Sequence, residues 1–246
     1  MARQVTIVTG GSRGIGAATC TRLAADGHDV VVGYVSDGEA AERTAAAVRA
    51  AGARCVTVRV DTSDAAAVER LFDTAADRLG PVTGLVNNAG VTGPLGPLAD
   101  ADPADLRRVV EVNLLGTLLC SRRAARSMGE LGGGVIVNVS SAAATLGSPG
   151  EFVHYAASKA AVDALTVGLA KELGPGGIRV NAVAPGMIDT EMHATMGDAG
   201  RAERAASSIP LRRVGAAEEV AAAIAWLMSP DASYTTGAVL RVSGGR

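Results

Sequence analysis

Tyr155 and Lys159 stand four residues apart in Tyr155-Ala156-Ala157-Ser158-Lys159, so on a helix both side chains leave the same face. A phenol titrates near pH ~10, too high for an efficient base at neutrality. An ammonium held beside it favours the phenolate and draws that value down. The pair has the parts of a proton-transfer device. Taken alone, it also matches a half-buried tyrosine beside a solvated lysine. A second constellation, Thr9-Gly10-Gly11-Ser12-Arg13-Gly14-Ile15-Gly16, follows a β-branched run and opens a helical stretch. Glycines there let the chain turn sharply and bring N–H groups and the positive end of a helix up to a pyrophosphate. The spacing Gly10-x3-Gly14-x-Gly16 departs from the common GxGxxG, and a tight strand-to-helix corner would look similar in isolation.

Short β-branched runs fall at Val5–Thr9, Val30–Tyr34, Cys55–Val60, Gly84–Asn87, Val135–Val139, Arg179–Val183 and Val239–Val242. Several, such as Val30-Val31-Val32 and Val135-Ile136-Val137, are continuously apolar, the mark of strands covered on both faces. Between them lie helical stretches near 14–26, 38–51, 64–79, 103–129, 154–173 and 216–229. Asp102-Pro103 supplies an N-cap and first-turn pair, and Gly174-Pro175-Gly176-Gly177 stops the fifth helix. The alternation predicts an α/β fold, a doubly wound parallel sheet of about seven strands with helices on both faces. No linker, repeat or charge block divides residues 1–246, so one domain is expected, with a substrate loop near 187–214.

The 246 residues hold 23 Lys+Arg against 25 Asp+Glu, a net charge of −2, which offers no basic field for nucleic acid or an anionic membrane. Leu131 to Gly150 carries no charge, but Gly132, Gly133, Gly134, Pro149 and several polar residues make it no bilayer span. The N-terminal apolar run is too short for a signal peptide. Cys20, Cys55 and Cys120 are far apart and suit free thiols in a reducing compartment, so a cytoplasmic location is expected. No HExxH or comparable spacing exists among His28, His154 and His193, and no metal site is expected. His154 is expected to point away from the Tyr155 side of its helix; His193 falls in the 187–214 segment.

Further motifs recur in order: Asn87-Asn88-Ala89-Gly90, Val137-Asn138-Val139-Ser140-Ser141, Val180-Asn181-Ala182-Val183-Ala184-Pro185-Gly186 and Val242-Ser243-Gly244-Gly245. With the glycine loop and YxxxK, the chain resembles the short-chain dehydrogenase/reductase family over nearly its whole length. It is similar in particular to β-ketoacyl-acyl carrier protein reductases and glucose-dehydrogenase-like members. The resemblance implies a Rossmann-type fold and a catalytic set of Asn113, Ser141, Tyr155 and Lys159. In that set Ser141 holds the substrate oxygen and Tyr155 gives or takes its proton. Lys159 also holds the nicotinamide ribose, and Asn113 anchors a water linking Lys159 to solvent. Ser141 precedes Tyr155 by fourteen positions, one more than the family's usual spacing, and Ser140 lies beside it. The extra residue is placed in the loop Gly147–Glu151. Cofactor contacts are implied for Gly10, Ser12, Arg13, Gly14, Ile15 and Gly16, for Asp61 and Thr62, and for Asn88, Ala89 and Gly90. The same holds for Tyr155, Lys159, Pro185, Gly186, Ile188 and Thr190.

An NAD-type site presents an acid at the end of the second strand, where this chain has Tyr34. Arg13 and Ser36 can meet a 2′-phosphate, although Asp37 is near enough to repel one. NADP(H) is therefore the expected cofactor, with NAD(H) as the alternative. The expected reaction interconverts a ketone and a secondary alcohol; a 3-oxoacyl thioester, a sugar and a polyketide or cyclic ketone are the open substrate classes. A dinucleotide-sensing regulatory or scaffold protein without turnover is the runner-up. On the fifth helix Ala157, Ala160, Ala161, Ala164 and Gly168 form a stripe of small residues. The stripe packs either on the protein's own sheet or against a second copy; the family's habit makes a homotetramer the expectation, then a homodimer.

Overall fold

Branched apolar runs with no polar side must be covered above and below, and the computed structural model, which describes residues 3–190 and 206–246, shows how. Seven strands form one sheet in the order β3-β2-β1-β4-β5-β6-β7, each neighbouring pair parallel. They are β1 (Gln4–Val8), β2 (His28–Tyr34), β3 (Cys55–Arg59), β4 (Val82–Asn87), β5 (Gly134–Val139), β6 (Ile178–Pro185) and β7 (Val239–Val242). The helices are α1 (Gly14–Ala25), α2 (Gly38–Ala50), α3 (Ala65–Leu79), α4 (Pro103–Val110), α5 (Gly116–Leu131), α6 (Ala143–Leu146), α7 (Val153–Leu173) and α8 (Ala217–Met228).

One face of the sheet presents Val8, Val30, Val32, Val86, Val137 and Val183 to Leu23 of α1, Val48 of α2 and Ile224 and Met228 of α8. The other presents Ile7, Val31, Leu85, Ile136 and Val180 to Leu71 and Phe72 of α3 and to Cys120 and Met128 of α5. Alternate residues of one strand thus serve opposite layers, as a pleat with a repeat of two demands. Strand order reverses between β1 and β4, and the crevice that opens there at the strands' C-terminal ends is where such sheets bind ligands.

The stretch expected as one helix across 103–129 is interrupted. Glu111–Leu115 forms a π turn between α4 and α5, a local widening that is common at functional sites. Gly116 closes that turn directly against Thr62, where a Cβ would stand 2.5 Å from the threonine Oγ1. The short α6 was not foreseen; Gly147 ends it at φ +75°. Of the segment near 187–214, residues 191–205 and His193 lie outside the described residues. Its ends are tied together, Ile188 bridging Gly215 and Asp189 N–H donating to the Gly215 carbonyl. Among the described residues no helix is long and apolar enough to cross a membrane, and no three His, Cys, Asp or Glu cluster as a metal site.

The α7 stripe faces outward. Ala157, Ala160, Ala164 and Gly168 are exposed and Ala161 is half-buried, while Ala156, Val162, Thr166 and Ala170 carry the inward packing. Packing of the stripe on the protein's own sheet is therefore excluded.

Candidate active site

The glycine loop lies at the β1–β4 crevice, and its glycines answer to contacts. Gly10 and Gly14 take positive φ (+62° and +52°), and a Cβ on Gly16 would stand 2.2 Å from the Gly10 carbonyl oxygen. The loop therefore folds onto itself more tightly than any side chain permits. Unlike α2, α3 and α4, capped by Asp37, Asp64 and Asp102, α1 has Arg13 at its N-cap with no side-chain acceptor and no acid in its first turn. An uncapped helix end over a bare backbone cradle fits a pyrophosphate. Asn88 staples the cradle to β4: its Nδ2 donates to the carbonyls of Thr9 (3.0 Å) and Gly10 (2.9 Å). The Thr9 hydroxyl accepts from the N–H groups of Asn88 and Ala89.

A cavity of about 860 Å³ runs from this loop to α7. All the residues named above for the cofactor line it, and so do Ser141, Tyr155 and Lys159. Pro185, Gly186, Ile188 and Thr190 form one wall, and Thr190 Cγ2 comes within 3.3 Å of where a Gly14 Cβ would stand. Asn113 is fully buried behind the lining, at the π turn.

At the α7 end, Ser141 and Tyr155 line the cavity together, with the Ser141 hydroxyl close enough to favour the phenolate. The neighbouring Ser140 turns away, its hydroxyl donating to the Lys159 carbonyl at 3.2 Å. Lys159 Nζ lies 5.8 Å from the centre of the Tyr155 ring and donates to the Val139 carbonyl at 2.8 Å. Burial pushes the Tyr155 phenol above its ordinary value, and the Ser141 hydrogen bond opposes it. Burial lowers the Lys159 ammonium to about 8, opposed by the charge of Asp163. The phenol thus stands protonated at neutral pH, because burial disfavours its anion more than Ser141 favours it.

At the far end, Tyr34 and Ser36 border the cavity, with the Tyr34 ring near Gly38. Arg13 forms an ion pair with Asp37 at 2.8 Å. Asp61, beside buried Thr62, pairs with Arg108 at 2.9 Å. Arg108 was not foreseen; it sits in α4, remote in sequence, with no local motif to mark it. His154 is not part of the cavity lining; its Nε2 lies 2.9 Å from the Thr92 carbonyl, a structural contact.

A family model described as enoyl-(acyl carrier protein) reductase matches residues 10–246. The chain belongs to the short-chain dehydrogenase/reductase family. An Escherichia coli (strain K12) relative named uncharacterized oxidoreductase YgfF is 45% identical, covering 98% of this chain and 99% of the relative. The cis-4-hydroxycyclohexanecarboxylate dehydrogenase of Sinomonas cyclohexanicum is also 45% identical, over 99% and 96%. A crystal structure of a blue fluorescent protein from a metagenomic library, in complex with NADPH, superposes with a TM-score of 0.89 at 37% identity, over 98% and 97%. This short-chain dehydrogenase/reductase is an enzyme of the oxidoreductase class, and the reading of a scaffold without turnover finds no support among these relatives.

Proposed function

We propose that this oxidoreductase transfers hydride between NADP(H) and a ketone/secondary-alcohol pair, with Tyr155 as general acid and base. The observation that carries the reading is the meeting of Tyr155, Ser141 and Lys159 at one end of a cavity whose other end is the glycine loop. The nicotinamide, when bound, supplies or accepts the hydride. Gly10 to Gly16 would hold its pyrophosphate, Asp61 and Thr62 would border the adenine, and Lys159 the nicotinamide ribose. Ser141 holds the substrate oxygen next to the phenol. In reduction Tyr155 passes its proton to that oxygen, and the Lys159 ammonium steadies the phenolate left behind. Asn113 keeps the helix carrying both residues against the cleft.

NADP(H) is preferred because Tyr34 puts no carboxylate at the end of β2 and Arg13 lines the cavity there. The Arg13–Asp37 ion pair favours some use of NAD(H) as well. A cyclic ketone heads the substrate classes, since the Sinomonas relative is named for a cyclic alcohol. The outward stripe on α7, with Leu115, Leu118 and Val167 also exposed, supports a homotetramer. The test is an NADPH-oxidation screen across cyclic ketones, ketoacyl thioesters, sugars and quinones, with NADH in parallel. Turnover with a ketone and a higher kcat/KM for NADPH is expected; no turnover with any class, or a preference for NADH, overturns the corresponding part.

A further inference from the structure

We infer that Asp163 is the counter-charge of the Lys159 ammonium, a positioning residue that stands outside the cavity lining and acts on the reaction through the lysine. The inference rests on the role proposed above for Lys159. Lys159 is 4% exposed, and the acceptor that meets its Nζ is a neutral one, the Val139 carbonyl at 2.8 Å. A cation taken out of water among neutral partners tends to give up its proton, so a carboxylate within reach decides how well it stays charged. Asp163 stands four residues beyond Lys159, one turn along the same face of α7. It is half-buried, and its Oδ1 is buried with no hydrogen-bond partner among the described residues. Neighbouring donors are occupied elsewhere. Ser140 donates its hydroxyl hydrogen to the Lys159 carbonyl at 3.2 Å. Arg241 of β7 donates to the Thr145 hydroxyl and, at 3.2 Å, to the Arg246 carbonyl. Other groups around Nζ bring no charge: Tyr155 on the same helix is protonated at neutral pH, and Gly90 and Asn113 face it from the loop after β4 and from the π turn. Burial raises the Asp163 carboxyl, while Ser140, Lys159 and Arg241 favour its ionised form.

Lys159 and Lys171 are the two lysines of the chain, so isotope labelling of lysine side chains gives two signals, with exposed Lys171 as the internal reference. Wild type, Asp163→Asn, Asp163→Ala and Asp163→Glu are titrated by NMR through the lysine range, carbonyl reduction is followed over the same pH values, and a urea melt checks that each variant is folded. Removing the carboxylate takes away what favours the ammonium. Lys159 should therefore titrate about one pH unit lower in Asp163→Asn and Asp163→Ala, with Lys171 unmoved. The alkaline decline of reduction should move down by the same amount, and Asp163→Glu should restore most of both. A Lys159 titration that stays put in the neutral variants overturns the inference. So does an equal fall in Asp163→Glu, which would make packing and not charge the cause. A titration that falls while the reduction profile stays fixed overturns the link to the reaction. A titration that falls in a protein that reduces no ketone supports the counter-charge and overturns only the proposed reaction.

Discussion

Asn113 and Val91 hold each other by two hydrogen bonds of 2.8 Å, the Val91 N–H donating to Asn113 Oδ1 and Asn113 Nδ2 donating to the Val91 carbonyl. The same Nδ2 donates to Ser158 Oγ at 3.0 Å, and Ser158 in turn donates to the Tyr155 carbonyl. A single carboxamide on the π turn therefore ties the cleft wall after β4 to the helix that carries Tyr155. Asn113→Ala strands the Val91 N–H and carbonyl, each at a cost of about 1–3 kcal/mol if it stays buried. The expected loss is about 2–4 kcal/mol in urea unfolding, and an unchanged midpoint would show that this clasp is dispensable.

Tyr155→Phe keeps the ring against Phe152, 5.4 Å away, and removes the transferable proton. Turnover should fall by about 10²–10⁴-fold with dinucleotide affinity retained. Wild-type carbonyl reduction should hold steady through neutral pH, where the raised phenol is protonated, and decline above about 8 as Lys159 loses its charge. A rate that climbs through that range would assign the proton to another group.

Lys159 also carries a cost in stability. Its ammonium titrates at about 8 in the folded chain against 10.5 ordinarily, because burial disfavours the charge. Between those values the unfolded chain binds more protons, so stability rises with pH, and the full penalty is present below about 8. Lys159→Met should therefore be more stable than wild type at pH 7, with an advantage that shrinks toward pH 10.5. Denaturant midpoints at the two ends of that window check this; an equal advantage at both would contradict it.

The exposed stripe on α7 should be an assembly surface. Light scattering at micromolar concentration is expected to report four chains, and Ala164→Arg to yield smaller species. A monomeric wild type would leave the stripe without that role.

Much of this was legible along the chain. The continuous apolar runs and the turns between them placed the strands to within a few residues, as at β4, which begins at Val82 where Gly84 was expected. The glycine loop was legible because its demand is local: Gly16 approaches Gly10 within one turn of chain. Arg108 was not, since its partner Asp61 lies across a crossover from it and no spacing rule connects α4 to the end of β3.

By itself, then, the sequence determined the layered parallel sheet, the cradle before α1 and the shared face of Tyr155 and Lys159. Each follows from periodicity or from steric limits acting over a few residues. Only the tertiary structure decided that Ser141 and not Ser140 meets the phenol, that the α7 stripe faces outward, and that Asn113 is held by Val91. The same is true of Arg13, which meets Asp37. These depend on which side of a strand or helix is covered, and on segments 22 to 24 residues apart closing on one another. Burial is the main influence on Tyr155, raised, and on Lys159, lowered, because the dielectric around a group is a property of the packed molecule and not of its neighbours in the chain.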